Sequence, residues 1–338
     1  MIRNKKKSFL KRLLIFINLI MLLLQLVAMD SFGLGFNIPI LNLSVPLICI
    51  LNFILAIYWL LSFQWPFFIF FIAYAISFES WQSLYQFKTK GINISKGLSV
   101  MSYNVRSFNR FDWLDIREIP QLISKYIETV KPDVVCFQEY IKDGAPKLTN
   151  YPYKIFKPYV DNGKIGSCII SKYPLENAKV ISFETSSNGG MQTDLIWKQD
   201  TIRLYNLHFE SLRLNSKDTL LASNYSKQFR SKIKDVFETQ NDQVLKFNKL
   251  SQANSFPEII CTDLNNNAFS DSYKSLSKNR IDTFKEKGQG FGSTYMFPYF
   301  PLRIDYIFVT QNIKVLDHIT HEVELSDHMP VSANLQLR

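Results

Sequence analysis

The segment Pro257-Glu258-Ile259-Ile260-Cys261-Thr262-Asp263-Leu264-Asn265-Asn266-Asn267 decides how the rest of the 338-residue chain is read. Ile259 to Cys261 is a short apolar run of the kind that forms a buried strand. It breaks into Asp-x-Asn and further asparagines, residues that leave strands through turns. A carboxylate and an amide two residues apart at a strand end point the same way, into whatever cleft lies there. Alone, Asp-x-Asn after a strand is an ordinary turn. Its meaning depends on what the other strand ends carry.

Outward from that segment, Leu98 to Asn104 begins with β-prone alternation and reads as a strand ending at Asn104. Residues 119–130 have helical apolar spacing, with Pro120 in the first turn, and Lys131-Pro132-Asp133 stops the helix. Asp133 to Glu139 is a short buried strand ending in a carboxylate. Strand signals recur over 166–171, 180–183, 193–197 and 201–208, the last ending in His208. Residues 223–250 read as a long amphipathic helix. Residues 303–309 form a strand containing Asp305, and Ser326-Asp327-His328-Met329-Pro330-Val331 enters the final one. Strands outnumber helices, and the helices fall between strand groups. The expected class is α/β, two sheets packed face to face with helices outside. The loop Gly288-Gln289-Gly290-Phe291-Gly292 matches no phosphate-binding P-loop and precedes a strand; it reads as a flexible connection near the cleft.

Charge and hydropathy divide the chain. The formal net charge is +10, but Arg3, Lys5, Lys6, Lys7, Lys11 and Arg12 supply six positive charges before residue 13, so total charge does not imply a nucleic-acid partner. From Leu13 to Phe87 only Asp30 and Glu79 are charged. Three apolar segments, 13–29, 38–61 and 65–84, each approach the ~20 residues that cross a bilayer. Tryptophans and tyrosines fall near their ends. No small-x-small site follows the first, which separates it from a cleaved signal peptide. With residues 1–12 cytoplasmic by the positive-inside rule, three spans place a domain at 98–338, after a linker at 88–97, on the non-cytoplasmic side. The four cysteines sit in apolar runs without metal or redox spacing.

Five strand ends thus carry Asn104, Glu139, His208, Asp263 with Asn265, and Asp327 with His328. Strand termini and loops are where a rigid scaffold presents function. Hard oxygen ligands suit Mg²⁺ or Mn²⁺, and no Cys/His cluster suits zinc. His208 and His328 can act as acid, base or phosphate donor near neutral pH. His318 and His321 read as surface residues of a polar loop.

Tyr-Asn-Val (103–105), Pro-Asp-Val-Val-Cys-Phe-Gln-Glu (132–139), Asn-Leu-His (206–208), Thr-Asp-Leu-Asn (262–265), Arg-Ile-Asp-Tyr (303–306) and Ser-Asp-His-Met-Pro-Val (326–331) occur in the order found in the endonuclease/exonuclease/phosphatase (deoxyribonuclease I-like) superfamily. Residues 97–338 resemble it; the first 90 do not resemble its soluble enzymes. The resemblance implies a four-layer α/β sandwich and metal-dependent cleavage of a phosphoester. It implies Glu139 as the principal metal carboxylate, with Asn104 beside it and Asp327 near the metal. Asp263 and Asn265 would orient water and phosphate. His328 would contact the scissile phosphate with Asp305 as its orienting carboxylate, and His208 would be a second phosphate-facing histidine. Arg106 stands where some branches carry an acidic residue. The aromatic residue of abasic-site enzymes is absent at His208, and the arginine pattern of inositol phosphatases around 303–306 is incomplete. The expected function is a membrane-anchored, Mg²⁺-dependent phosphodiesterase whose partners are a lipid head group or nucleic acid and the bilayer itself. The alternatives are a phosphomonoesterase of the same superfamily or an inactive membrane scaffold.

Overall fold

The computed structural model describes residues 2–31, 38–87, 97–184, 186–212, 226–297 and 300–338, with side chains from Ser8 and from Arg230 in the two longest helices. Most of the expected linker 88–97 and the start of the expected helix 223–250 lie outside these residues. The chain forms two compact units, Met1–Leu84 and Tyr85–Arg338.

The first unit is helical: α1 (Ile2–Ala28), α2 (Pro39–Leu43), α3 (Val45–Leu61), α4 (Phe67–Ile76) and α5 (Phe78–Leu84). Within α1, Ser8–Ala28 is long and apolar enough to cross a membrane. Helical hydrogen bonding runs through Ser44, from Ser44 N–H to Ile40 and from Ile48 N–H to Ser44, so α2 and α3 nearly join. α1 and α3 are antiparallel. Lys11 donates to the Gln64 side chain beyond the end of α3, and Asn52 Nδ2 donates to Met21 O (3.1 Å) and Gln25 Oε1 (2.8 Å). The expected third segment is not one straight helix: α4 and α5 meet at 86°. The Ser77 hydroxyl donates to Ala73 O at the break (2.8 Å), a bond that bends helices. Polar Glu79, Ser80, Gln82 and Ser83 follow it.

The second unit contains β1 (Leu98–Asn104), α6 (Ile119–Val130), β2 (Val134–Ile141), β3 (Tyr153–Pro158), β4 (Ile165–Ser171), β5 (Leu175–Ser182), β6 (Gly189–Trp197), β7 (Asp200–His208), α7 (Ser226–Gln252) and β8 (Glu258–Asp263). After these come α8 (Asp271–Ser277), β9 (Arg280–Asp282), α9 (Thr283–Lys287), β10 (Asp305–Thr310), β11 (Ile313–Thr320) and β12 (Val331–Leu337). Two six-stranded sheets have the orders β11-β12-β1-β2-β4-β3 and β5-β6-β7-β8-β10-β9. Each has one central parallel pair, β1/β2 and β7/β8, flanked by antiparallel strands.

Period-two alternation builds the four layers. Val134 and Cys136 of β2 point between the sheets with Val100, Ile259, Cys261 and Ile307. Val135 and Phe137 point outward to Ile119, Ile123 and Ile127 of α6. On the second sheet, Tyr205, Ile260 and Phe308 pack against Val244 and Phe247 of α7. This is the expected sandwich. The four cysteines are buried and free.

Two expectations are corrected. His318 and His321 are buried, not surface residues. His318 lies on β11 with Nδ1 2.8 Å from Thr283 Oγ1, and His321 Nε2 is 2.7 Å from Ser332 Oγ; the polar-looking stretch conceals a strand. Arg303 donates to Asp282 (2.8 Å), with its guanidinium against the Phe284 and Tyr306 rings.

Burial holds the His318 imidazole down to about 3. As pH falls from 6.5 towards 3, the unfolded chain takes up a proton that the folded chain refuses, so stability present above pH 6.5 is lost across that window. The loss at pH 5 is about 2 kcal/mol. Urea unfolding at pH 7 and pH 5 should therefore show a smaller drop for His318→Gln than for the wild type. Equal drops would show that His318 does not carry the acid limb.

Candidate active site

Topology gathers the site. In a sheet with a central parallel pair and antiparallel neighbours, the ends of the pair and the starts of the flanking strands share one edge. The ends of β1, β2, β7 and β8 bring Asn104, Glu139, His208 and Asp263 to that edge. The start of β10 brings Asp305, and the turn into β12 brings His328. His208, Asp263 and Asp305 are register partners across three adjacent strands. All three share the inward parity of Leu204, Cys261 and Ile307.

Glu139 should point outward by this parity, like Val135 and Phe137. A bulge between Phe137 and Tyr140, with Glu139 at φ 48°, turns it inward. Bulges of this kind re-aim side chains beside active sites. The Glu139 N–H donates to Tyr159 Oη (3.0 Å), which holds the bulge.

Asp263 is the hub. Its Oδ2 accepts from Asn104 Nδ2 at 2.8 Å and lies 3.4 Å from His208 Nε2 and 3.7 Å from His328 Nε2. Asn104 Nδ2 also donates to Glu139 Oε1 (3.1 Å), and His208 Nε2 is 3.6 Å from that oxygen. Asp305 holds His328 Nδ1 at 2.9 and 3.1 Å. Thr294 Oγ1 accepts the N–H groups of Ile304 and Asp305 (both 3.0 Å), and the Tyr295 ring lies edge-on to His328.

The remaining two expected residues sit differently. Asp327 pairs with Arg106, whose guanidinium lies over Trp113 at 4.3 Å; Ser326 Oγ donates to Asn104 O beside it (2.8 Å). Asn265, at φ 54°, turns its Nδ2 to Phe209 O (3.0 Å), while its N–H donates to Asp263 Oδ1 (2.9 Å). Residues 106–109 are all left-handed, with φ from 40° to 61° and no glycine. Such strain persists where surroundings over-determine it; here Arg106 N–H donates to Asn104 Oδ1 (2.9 Å).

Electrostatics follow burial. Burial pushes Asp263 up to about 6, with His328 pulling down and Asp305 pushing up. Burial also raises Glu139, although 30% of its side chain stays exposed, and the Asn104 amide opposes the shift. His328 goes the other way: burial lowers it, but Asp305 and Asp263 together hold it well above the ordinary imidazole range.

The donor set fits a hard divalent cation. Carboxylates of Glu139, Asp263, Asp305 and Asp327 outnumber the cations Arg106 and His328. Asp263 and Asp305 bring carboxylate oxygens within 4.8 Å of one another. Tyr159, Thr294 and Tyr295 were not singled out in the sequence, and Ser326 entered only as part of the 326–331 motif. They act through backbone and ring contacts, which no residue spacing announces.

The profile of the Endonuclease/Exonuclease/phosphatase family matches residues 101–328, and the chain belongs to that family. None of the curated proteins matches it in sequence. Its fold is similar to that of an endonuclease/exonuclease/phosphatase from Bacteroides vulgatus at TM-score 0.57 and 18% identity, covering 72% of this chain and 100% of that one. It is similar to the human nocturnin catalytic domain at TM-score 0.53 and 17% identity, covering 73% and 97%. It is also similar to a mannosyl-6-phosphatase of Bacteroides thetaiotaomicron at TM-score 0.52 and 16% identity, covering 71% and 100%.

A carboxylate raised to about 6 by burial costs stability at neutral pH. Metal-free Asp263→Asn should melt higher than metal-free wild type at pH 7, by an amount on the order of 1–3 kcal/mol. The folded state binds the extra proton between about pH 6 and 4, so wild type should close the gap as pH falls through that window. Calorimetry in chelator reads both effects. A mutant less stable than wild type at pH 7 would show that the hub carboxylate is stabilising.

Proposed function

We propose that this chain is a membrane-anchored, divalent-metal-dependent phosphoesterase acting on a phosphodiester. The observation that carries the reading is the convergence of Asn104, His208 and His328 on the buried Asp263 carboxylate. Phosphoryl transfer needs a positioned nucleophile and stabilisation of charge on the non-bridging oxygens. Asp263, with its proton affinity near 6, is suited to accept a proton from water near neutral pH. Asn104 fixes the carboxylates of Asp263 and Glu139 relative to each other. Asp305 takes the Nδ1 side of His328 and leaves the charged ring to direct Nε2–H at a phosphate oxygen. His208 offers a second donor from the neighbouring strand. Glu139, partly open to solvent, with Asn104 and Asp327 around it, would hold Mg²⁺ or Mn²⁺. That ion would neutralise charge developing on the phosphate. To orient water and phosphate with Asp263, the Asn265 side-chain amide would first have to leave the Phe209 carbonyl.

Three contacts support three crossings by the helical unit. Lys11 donates to Gln64 just beyond the end of α3, Asn52 in the middle of α3 donates to Gln25 in the last turn of α1, and Ser80 Oγ donates to Met29 O (3.3 Å) beyond the far end of α1. α4, though short, thus carries the chain back to the end opposite the basic residues. This favours a non-cytoplasmic catalytic unit, and a site tethered at a bilayer favours a lipid head group over nucleic acid.

The detergent-solubilised full chain should hydrolyse bis(p-nitrophenyl) phosphate with Mg²⁺ and lose turnover in chelator. His328→Ala should lower it by about 10²-fold or more. Turnover of p-nitrophenyl phosphate alone would make the protein a monoesterase, and turnover of neither by folded protein would favour a scaffold.

Topology has its own test in sealed vesicles. Cysteines introduced at Ser8 and Phe87 should react with an impermeant thiol reagent from opposite faces. Reaction from one face would exclude three crossings.

A further inference from the structure

The loop read in the sequence as a flexible connection is instead braced at both ends. Thr294 N–H donates to Leu302 O (2.9 Å), Met329 N–H to Thr294 O (2.7 Å), and Met296 N–H to Asp327 O (2.9 Å). Thr294 Oγ1 takes the two amides that start β10, and Tyr295 lies against His328. Residues 293–296 are thus wedged between the two segments that carry Asp305 and His328.

The other end of the loop is held by residues that follow the apolar helices directly. Gln86 N–H donates to Gly290 O and Gly290 N–H donates to Gln86 O, both at 2.9 Å. The Tyr85 ring meets Phe291 edge-on with centroids 4.9 Å apart and also meets Phe87 at 4.7 Å. Gly290 has φ +69°, a conformation that glycine adopts without strain. Gly292, at φ +57°, leaves no room for a Cβ beside the Phe284 ring. The loop therefore has one defined path from Gln86 to the Asp305–His328 pair.

We propose that Tyr85-Gln86-Phe87 is a positioning strap for the active site: by fixing Gly290 and Phe291 it sets the loop that holds Asp305 and His328 in register. This rests on the reading of Asp305 and His328 as catalytic residues. The strap residues would act through the loop and not on the substrate. Since Tyr85 follows Leu84 in sequence, the membrane anchor and the catalytic machinery share this short stretch of chain. A catalytic unit cut free after residue 87 would keep its sheets and lose the brace.

The test uses the full chain in detergent, with Gln86→Pro, which deletes one bridge donor, and Tyr85→Ala/Phe291→Ala, which deletes the ring contact; Tyr85→Phe is the conservative control. With bis(p-nitrophenyl) phosphate and Mg²⁺, kcat should fall about 10-fold or more in both disrupting variants, since small misplacements of catalytic groups are that costly. KM and the melting temperature should change little, and Tyr85→Phe should keep wild-type activity. A purely structural role would lower the melting temperature and leave kcat alone. Hydrogen exchange at the Thr294, Ile304 and Asp305 amides should quicken in Gln86→Pro. Wild-type kcat in both disrupting variants overturns the strap while leaving the proposed function intact. If wild type itself shows no turnover, the functional reading fails first, and unchanged exchange at those three amides overturns the strap independently.

Discussion

The site depends on one constraint: a carboxylate, Asp263, held in the interior with no exposed surface. A buried carboxylate is tolerated only where donors and cations surround it. The donors nearest its outer oxygen are an amide from β1 and imidazoles from β7 and from the turn before β12. These come from both sheets. The two halves of the sandwich are therefore joined at this edge by polar contacts as well as by the apolar layer behind it. The same low-dielectric surroundings that raise Asp263 make His328 a durable cation, because Asp305 and Asp263 together outweigh its burial.

Between this edge and the apolar layer, a few polar side chains bridge the sheets. Gln138 Nε2 donates to Ser102 Oγ (3.0 Å) and Asn206 Oδ1 (2.8 Å), and Asn206 Nδ2 donates to Phe137 O (2.8 Å) and Cys168 O (3.2 Å). Gln138 precedes Glu139, and Asn206 lies two residues before His208. These bonds stitch β2 to β7 directly beneath the residues they present. An apolar pair would fill the same space without fixing register, whereas directional hydrogen bonds select one alignment of the sheets.

Much of this was legible in the chain. Strand signals that end in a polar side chain, at Asn104, Glu139, His208 and Asp263, marked β1, β2, β7 and β8. The helix at 119–130 was explicit in its spacing. What escaped detection lacked such a signature. β3, with Tyr153, Lys154 and Lys157, is a partly exposed strand with no clean alternation. β11 places His318 and Asp317 among buried apolar residues, so its polar content concealed it. The inward turn of Glu139 depends on a bulge that only pairing with β4 defines. Arg106 was noted as a departure in sequence, but its pairing with Asp327 joins residues 221 positions apart.

Buried polar side chains also fix packing within the helical unit. Asn18 and Gln25 are seven residues apart on α1, hence on one face, and both are buried, as is Asn52 on α3. Between helices as apolar as these, directed polar bonds supply a specificity that apolar contacts alone lack. The Asn52–Gln25 bond thus fixes the pairing and height of α1 against α3, which apolar contacts alone would leave free to slide.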